Sequence, residues 1–303
     1  MPTSHPLPQG IWLPLITPFR AGAFDEVSAR RLARHYVTVA IDGFILGATT
    51  GEGLTVDDDE IERYVAICRN EITASGRPIA LYLGLSGSDT RKLIKQLART
   101  SAWPIDGYLI VSPYYTRPSQ LGLYQHFAAL ADSTAKPIML YNIPYRTGVN
   151  LGNEQMLRLA EHPGIVGVKD CCADAAQSFD LLRDRPAGFS VLTGEDALLH
   201  NALTQGADGG VVASAHVQTQ AFAAIRNQML KGDHAAALAD WRALVDLPRL
   251  LFAEPSPAPI KHWLWREGLI DSPEVRLPMT TVSDGLAART DAEIARRQKL
   301  RVA

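Results

Sequence analysis

Lys169 stands at the end of an apolar run, Ile165-Val166-Gly167-Val168, and is followed by Asp170. Burial at the end of such a run disfavours an ammonium and lowers its pKa. A neutral amine there can attack a ketone and form a Schiff base, which then serves as an electron sink. The plainer reading is a lysine that reaches out to water or pairs with Asp170. Position alone leaves both open. Other polar residues end neighbouring apolar runs: Thr49 and Thr50, Tyr114 and Tyr115, Tyr141 with Arg146, and Gly194-Glu195-Asp196. Forming and dehydrating a carbinolamine requires protons to be moved, and a set of tyrosine and threonine hydroxyls can move them. Each hydroxyl alone could equally be a packing or turn residue. Adjacent residues on an extended segment point to opposite sides, so Tyr114 and Tyr115 cannot both face one pocket.

Eight runs carry these termini. They cover residues 10–19, 43–50, 78–84, 107–113, 137–144, 165–170, 190–195 and 209–214. They are continuously apolar rather than alternating, as expected of parallel strands buried on both faces. Segments of helical period lie between them, clearest at 25–41, 57–74, 88–102 and 119–134. Asp57, Ser88, Ser119 and Asn153 are suited to cap helix N-termini. Eight strand–helix units predict a (β/α)8 TIM barrel, with an open doubly wound sheet as the alternative. Barrel active sites sit at the C-terminal ends of the strands, where these polar residues fall. The barrel is expected to span residues 1–232 and hold the active site. A C-terminal helical extension is expected over 233–303, with helices at 234–253, 260–267 and 283–301. The segment EPSPAP (254–259) breaks the first two apart.

Composition narrows the function further. The 303 residues carry a net charge of −2, and no long block of like charge suggests nucleic acid or a membrane as partner. Three cysteines without a framework point to a reducing, cytoplasmic compartment. The first ten residues lack the pattern of a signal peptide, and no charge-free apolar stretch is long enough to span a membrane. The glycines of 47–53 are not followed by the Lys-Ser or Lys-Thr of a phosphate loop. The acidic run Asp57 to Glu60 lacks the spacing of a calcium loop and suits a helix N-terminus. No paired histidine spacing suggests a metal, and no G-x-S-x-G elbow suggests a serine hydrolase. Neither a metal nor a cofactor is expected.

Seven segments, in order, carry a resemblance. They are LITPF (15–19), GATTGE (47–52), SPYYTRPSQLGLYQHF (112–127), LYNIPYRTG (140–148), VGVKD (166–170), EPSPAPIK (254–261) and RLPMT (276–280). With them the chain resembles the dihydrodipicolinate synthase / N-acetylneuraminate lyase family of class I aldolases over nearly its whole length. The resemblance implies that Lys169 forms the Schiff base with pyruvate, and that Thr49, Tyr115 and Tyr141 relay protons. It implies that Tyr115 comes from the neighbouring subunit, within a homotetramer built from dimers. Thr50 matches the pyruvate carboxylate site, and Gly194 and Val212 match positions lining the pocket. The Thr-Thr-Gly-Glu motif and Arg146 resemble the synthase branch, in which the arginine holds the carboxylate of aspartate semialdehyde. A planar, permanently charged fork suits that task. The loop 84–90 and the segment 213–217 depart from the usual synthase pattern and leave a related 2-oxo acid aldolase or dehydratase as the alternative. A non-catalytic pyruvate-binding protein is a third, remoter one. Of the positions that match the family's lysine-effector site, Gly53, Asp58, Ile61, Ser88 and Lys92 differ and Tyr114 agrees, so L-lysine is expected not to inhibit.

Overall fold

A computed structural model describes residues 5–302. Eight parallel strands form a closed barrel: β1 (Gly10–Pro14), β2 (Gly43–Leu46), β3 (Ala80–Leu85), β4 (Gly107–Val111), β5 (Ile138–Asn142), β6 (Ile165–Asp170), β7 (Ser190–Thr193) and β8 (Gly209–Val211). Each strand lies beside its neighbour in sequence, and β1 closes the ring by pairing with both β2 and β8. Eight helices alternate with them: α1 (Glu26–Tyr36), α2 (Asp58–Ser75), α3 (Thr90–Thr100), α4 (Gln120–Asp132), α5 (Asn153–Ala160), α6 (Ala175–Asp184), α7 (Leu199–Thr204) and α8 (Ala215–Leu230). The TIM barrel is therefore present, and the open sheet is excluded.

Two apolar layers explain why the strands read as unbroken runs. Residues facing outward, such as Phe44, Leu140, Val168 and Val191, pack against the helices. Residues facing inward, such as Trp12, Ile45, Met139 and Leu192, fill the barrel interior. Both faces of each strand are buried, so alternation disappears from the sequence.

Local chemistry corrects several boundaries. The run 10–19 stops being barrel strand at Pro14. Its tail bends away, and Phe19–Arg20 pairs antiparallel with Ala23–Phe24. The N-cap of α3 is Asp89, whose carboxylate accepts from Arg91 N–H, and the hydroxyl of Ser88 donates to the Tyr114 carbonyl instead. Gly152 precedes α5, and Asn153 is its first residue. Asp57 and Ser119 do precede their helices. The helix expected over 234–253 is two, α9 (His234–Leu244) and α10 (Asp246–Leu251). Pro248 has no N–H to give the Leu244 carbonyl, so a single helix cannot run through it. Two further helices follow, α11 (Ala258–Arg266) and α12 (Asp284–Val302).

The C-terminal region is locked onto the loop after β2. Lys261 on α11 is fully buried, and its Nζ lies 2.5 Å from Glu52 Oε1. The same ammonium donates to the Glu274 carbonyl and sits 4.2 Å from the centre of the Phe19 ring. Arg276 donates its backbone N–H to Glu52 and both guanidinium ends to Glu60. Each buried charge thus has a partner, which burial demands.

Candidate active site

The site forms where β5, β6 and β7 end. Tyr141 and Lys169 are register partners across β5 and β6, so both side chains point inward at one level. Lys169 Nζ lies 4.3 Å from the centre of the Tyr141 ring. Lys169 is only 4% exposed. It neither reaches to water nor pairs with its neighbour: Asp170 points outward and accepts from Cys172 N–H and the Ser178 hydroxyl. Burial lowers the Lys169 pKa, against smaller opposing effects of Cys171, Asp196 and Glu195. Burial likewise raises the Tyr141 pKa, while a hydrogen bond with Thr49 works the other way. The phenol therefore stays protonated at neutral pH and can both give and receive a proton.

Gly194 follows β7 and lies against the lysine stem. A Cβ at this position would stand 2.4 Å from Lys169 Cε and 2.3 Å from Cys171 Sγ. No other residue type fits beside the amine without moving it. Thr49 and Thr50 occupy a short 3-10 turn after β2, and its fold is set by glycines. Gly47 adopts φ +68°, and a Cβ on Gly53 would collide with the Gly47 carbonyl. Glu52, at the end of the turn, is the residue that Lys261 and Arg276 hold.

The cavity is lined by Thr49, Thr50, Tyr141, Arg146, Lys169 and Gly194 among the expected residues. Arg146 is exposed at the mouth and lies beside the Tyr145 ring. Val212 is a correction. It points into the outer layer between strand and helices, and Val211 and Ala213 line the cavity in its place. The inward parity of β8 falls on Val211, one residue earlier. Tyr115 lies outside its own chain's cavity. It is 93% exposed, with φ +71°, and its backbone N–H is tied to the Thr147 carbonyl. A tyrosine held in a left-handed conformation and turned outward is costly unless something uses it.

Three lining residues were not picked out from the sequence, Tyr145, Phe252 and Ser256, whereas Asp196 ends the run noted there without a role. Tyr145 and Asp196 adjoin motif residues. Phe252 and Ser256 come from beyond residue 232, so the helical region contributes to the pocket. Asp196 is buried, and desolvation pushes its pKa up to about 6 despite hydrogen bonds from Ser214.

Comparison with known proteins agrees with this geometry. Residues 7–296 match the model of the dihydrodipicolinate synthetase family. A 4-hydroxy-tetrahydrodipicolinate synthase of Clostridium acetobutylicum is 42% identical over 92% of this chain and 96% of its own. The crystal structure of the dihydrodipicolinate synthase from Aquifex aeolicus superposes with a TM-score of 0.91 at 30% identity, covering 96% of this chain and 98% of that one. The dihydrodipicolinate synthase of Acinetobacter baumannii, solved in complex with pyruvate, gives 0.88 at 30% identity over 94% and 97%. The chain belongs to the dihydrodipicolinate synthetase family.

Proposed function

We propose that this protein is a class I lyase that condenses pyruvate with L-aspartate 4-semialdehyde through an imine on Lys169. The observation that carries this reading is the inward pairing of Lys169 with Tyr141 at the closed end of the cavity. The neutral amine attacks the keto carbon of pyruvate. The carbinolamine loses water to give the imine, and loss of a methyl proton gives the enamine. The enamine carbon attacks the aldehyde. The substrate's own amine then closes the ring and frees Lys169.

The residues divide this work by position. Tyr141 and Thr49, hydrogen-bonded to each other, carry protons to and from the carbinolamine oxygen. Thr50 and the backbone of its turn face the pyruvate carboxylate. Arg146, exposed at the mouth, suits the carboxylate of the second substrate. Gly194 leaves room for the amine to swing. Tyr115, presented outward, completes the relay of a second copy within a homotetramer of dimers. The cysteines, all unbridged, fit a reducing cytoplasm.

The test is the initial rate with pyruvate and aspartate semialdehyde, with a dihydrodipicolinate reductase coupling product formation to NADPH loss. A kcat on the order of 1–100 s⁻¹ is expected. A negligible rate, with pyruvate still trapped on Lys169, would assign the second substrate to another aldehyde.

A further inference from the structure

The cavity mouth carries a bridge that the reaction does not require. Tyr145 sits in the helical turn Pro144–Thr147 after β5, and Glu195 in the loop after β7. The two strands flank β6 in the barrel, so a link between their loops passes over the end of the strand that carries Lys169. That link exists: the Tyr145 hydroxyl donates to Glu195 Oε1 at 2.9 Å. The buried Cys171 thiol is a neighbour of Glu195, and each raises the proton affinity of the site around it. The Tyr145 ring lines the cavity, and the Arg146 guanidinium carbon lies 5.9 Å from its centre. Burial and the neighbouring Glu195 both hold the Tyr145 phenol in its protonated form, which keeps it a donor.

We propose that Tyr145, tethered by Glu195, sets the length limit of the acceptor aldehyde. The inference rests on the imine chemistry proposed above. A four-carbon aldehyde ending in a carboxylate finds a cationic partner in Arg146, which lines the same cavity as Lys169. A longer polyhydroxylated aldehyde must extend through the space that Tyr145 and its tether occupy. Glu195 is a positioning residue here, since it acts through Tyr145. The tyrosine is 61% exposed, so shortening it removes little packed surface and should leave the fold intact.

The experiment compares kcat/KM for aspartate 4-semialdehyde with that for D-arabinose, both with pyruvate. It uses the full-length protein and the variants Tyr145→Ala, Tyr145→Phe, Glu195→Ala and Glu195→Gln. Borohydride-trapped pyruvate on each variant reports separately on the imine. Tyr145→Ala should raise the arabinose-to-semialdehyde ratio at least tenfold. Tyr145→Phe and Glu195→Ala should raise it less, because they free the ring without removing it. Glu195→Gln, which keeps an acceptor oxygen, should restore most of the original ratio. An unchanged ratio in Tyr145→Ala with the adduct intact overturns the length limit alone. No adduct on the unaltered protein overturns the imine chemistry and the length limit with it.

Discussion

The amine of Lys169 depends on its surroundings for reactivity, and those surroundings can be titrated. Burial lowers its pKa from the ordinary value of 10.5. Cys171, whose own pKa burial drives upward, is a neutral thiol near pH 7 and adds little opposing charge. That leaves two carboxylates, Asp196, whose pKa lies at about 6, and the weaker influence of Glu195. Imine formation should therefore rise with pH as the amine loses its proton, and level off below 10.5. An ionised Asp196 stabilises the ammonium, so its removal lowers the amine pKa further. In Asp196→Asn the rising limb should move to lower pH, measured as the rate of pyruvate trapping. A limb that stays in place, or moves up, would contradict this assignment. At the same scale, Gly194 is fixed by the 2.4 Å that a Cβ would leave to the lysine stem.

At the scale of elements, the turn bearing Thr49 and Thr50 is held by the C-terminal region as much as by its own strand. Lys261→Met keeps most of the side chain's bulk and removes the ammonium, which leaves the buried Glu52 with the Arg276 backbone N–H but no paired charge. Breaking one side of a buried pair costs roughly 3–5 kcal/mol. Denaturant unfolding should show a loss of that order, and a loss below about 1 kcal/mol would mean that Glu52 finds another partner. Little of this was legible in the sequence. Lys261 and Glu52 lie 209 positions apart, and no local pattern links them. The strands were legible because each is a short apolar run between breakers. Their inward parity was not, because both faces are buried and alternation is lost. That is why Val212 was expected in the pocket and Val211 lines it. Ser88 failed as a cap for a similar reason: Asp89 beside it is an equally good acceptor, and only the tertiary contact with Tyr114 separates the two. The residues gathered at the cavity were legible wherever they end a run, as Lys169, Tyr141 and Thr49 do. Tyr145 and Glu195, fifty positions apart, meet only through the barrel.

At the scale of the whole molecule, two surfaces face away from the chemistry. Tyr115 is displayed outward, and under the proposed role for it in a second copy specific activity should fall on dilution below the association range, whereas a constant specific activity would contradict that role. The second surface lies between α2 and α3. Gly53, Asp58 and Ile61 line one cavity with Ser86 and Arg99, and Arg99 pairs with Asp58. The acidic group is thus already engaged, and the exposed Lys92 on α3 carries the same charge as a lysine effector. Millimolar L-lysine should leave the initial rate unchanged, and tight binding by isothermal titration would contradict that. Among the described residues no helix is long and apolar enough to cross a membrane. Everything else in the account hangs on one covalent bond, and the most direct test is to look for it. The protein is incubated with pyruvate, reduced with borohydride and mapped by peptide mass spectrometry, beside Lys169→Ala. A single reduced pyruvate adduct on the peptide containing Lys169, absent from the variant, is the predicted result. An unmodified Lys169, or an adduct that persists in Lys169→Ala, would contradict the account.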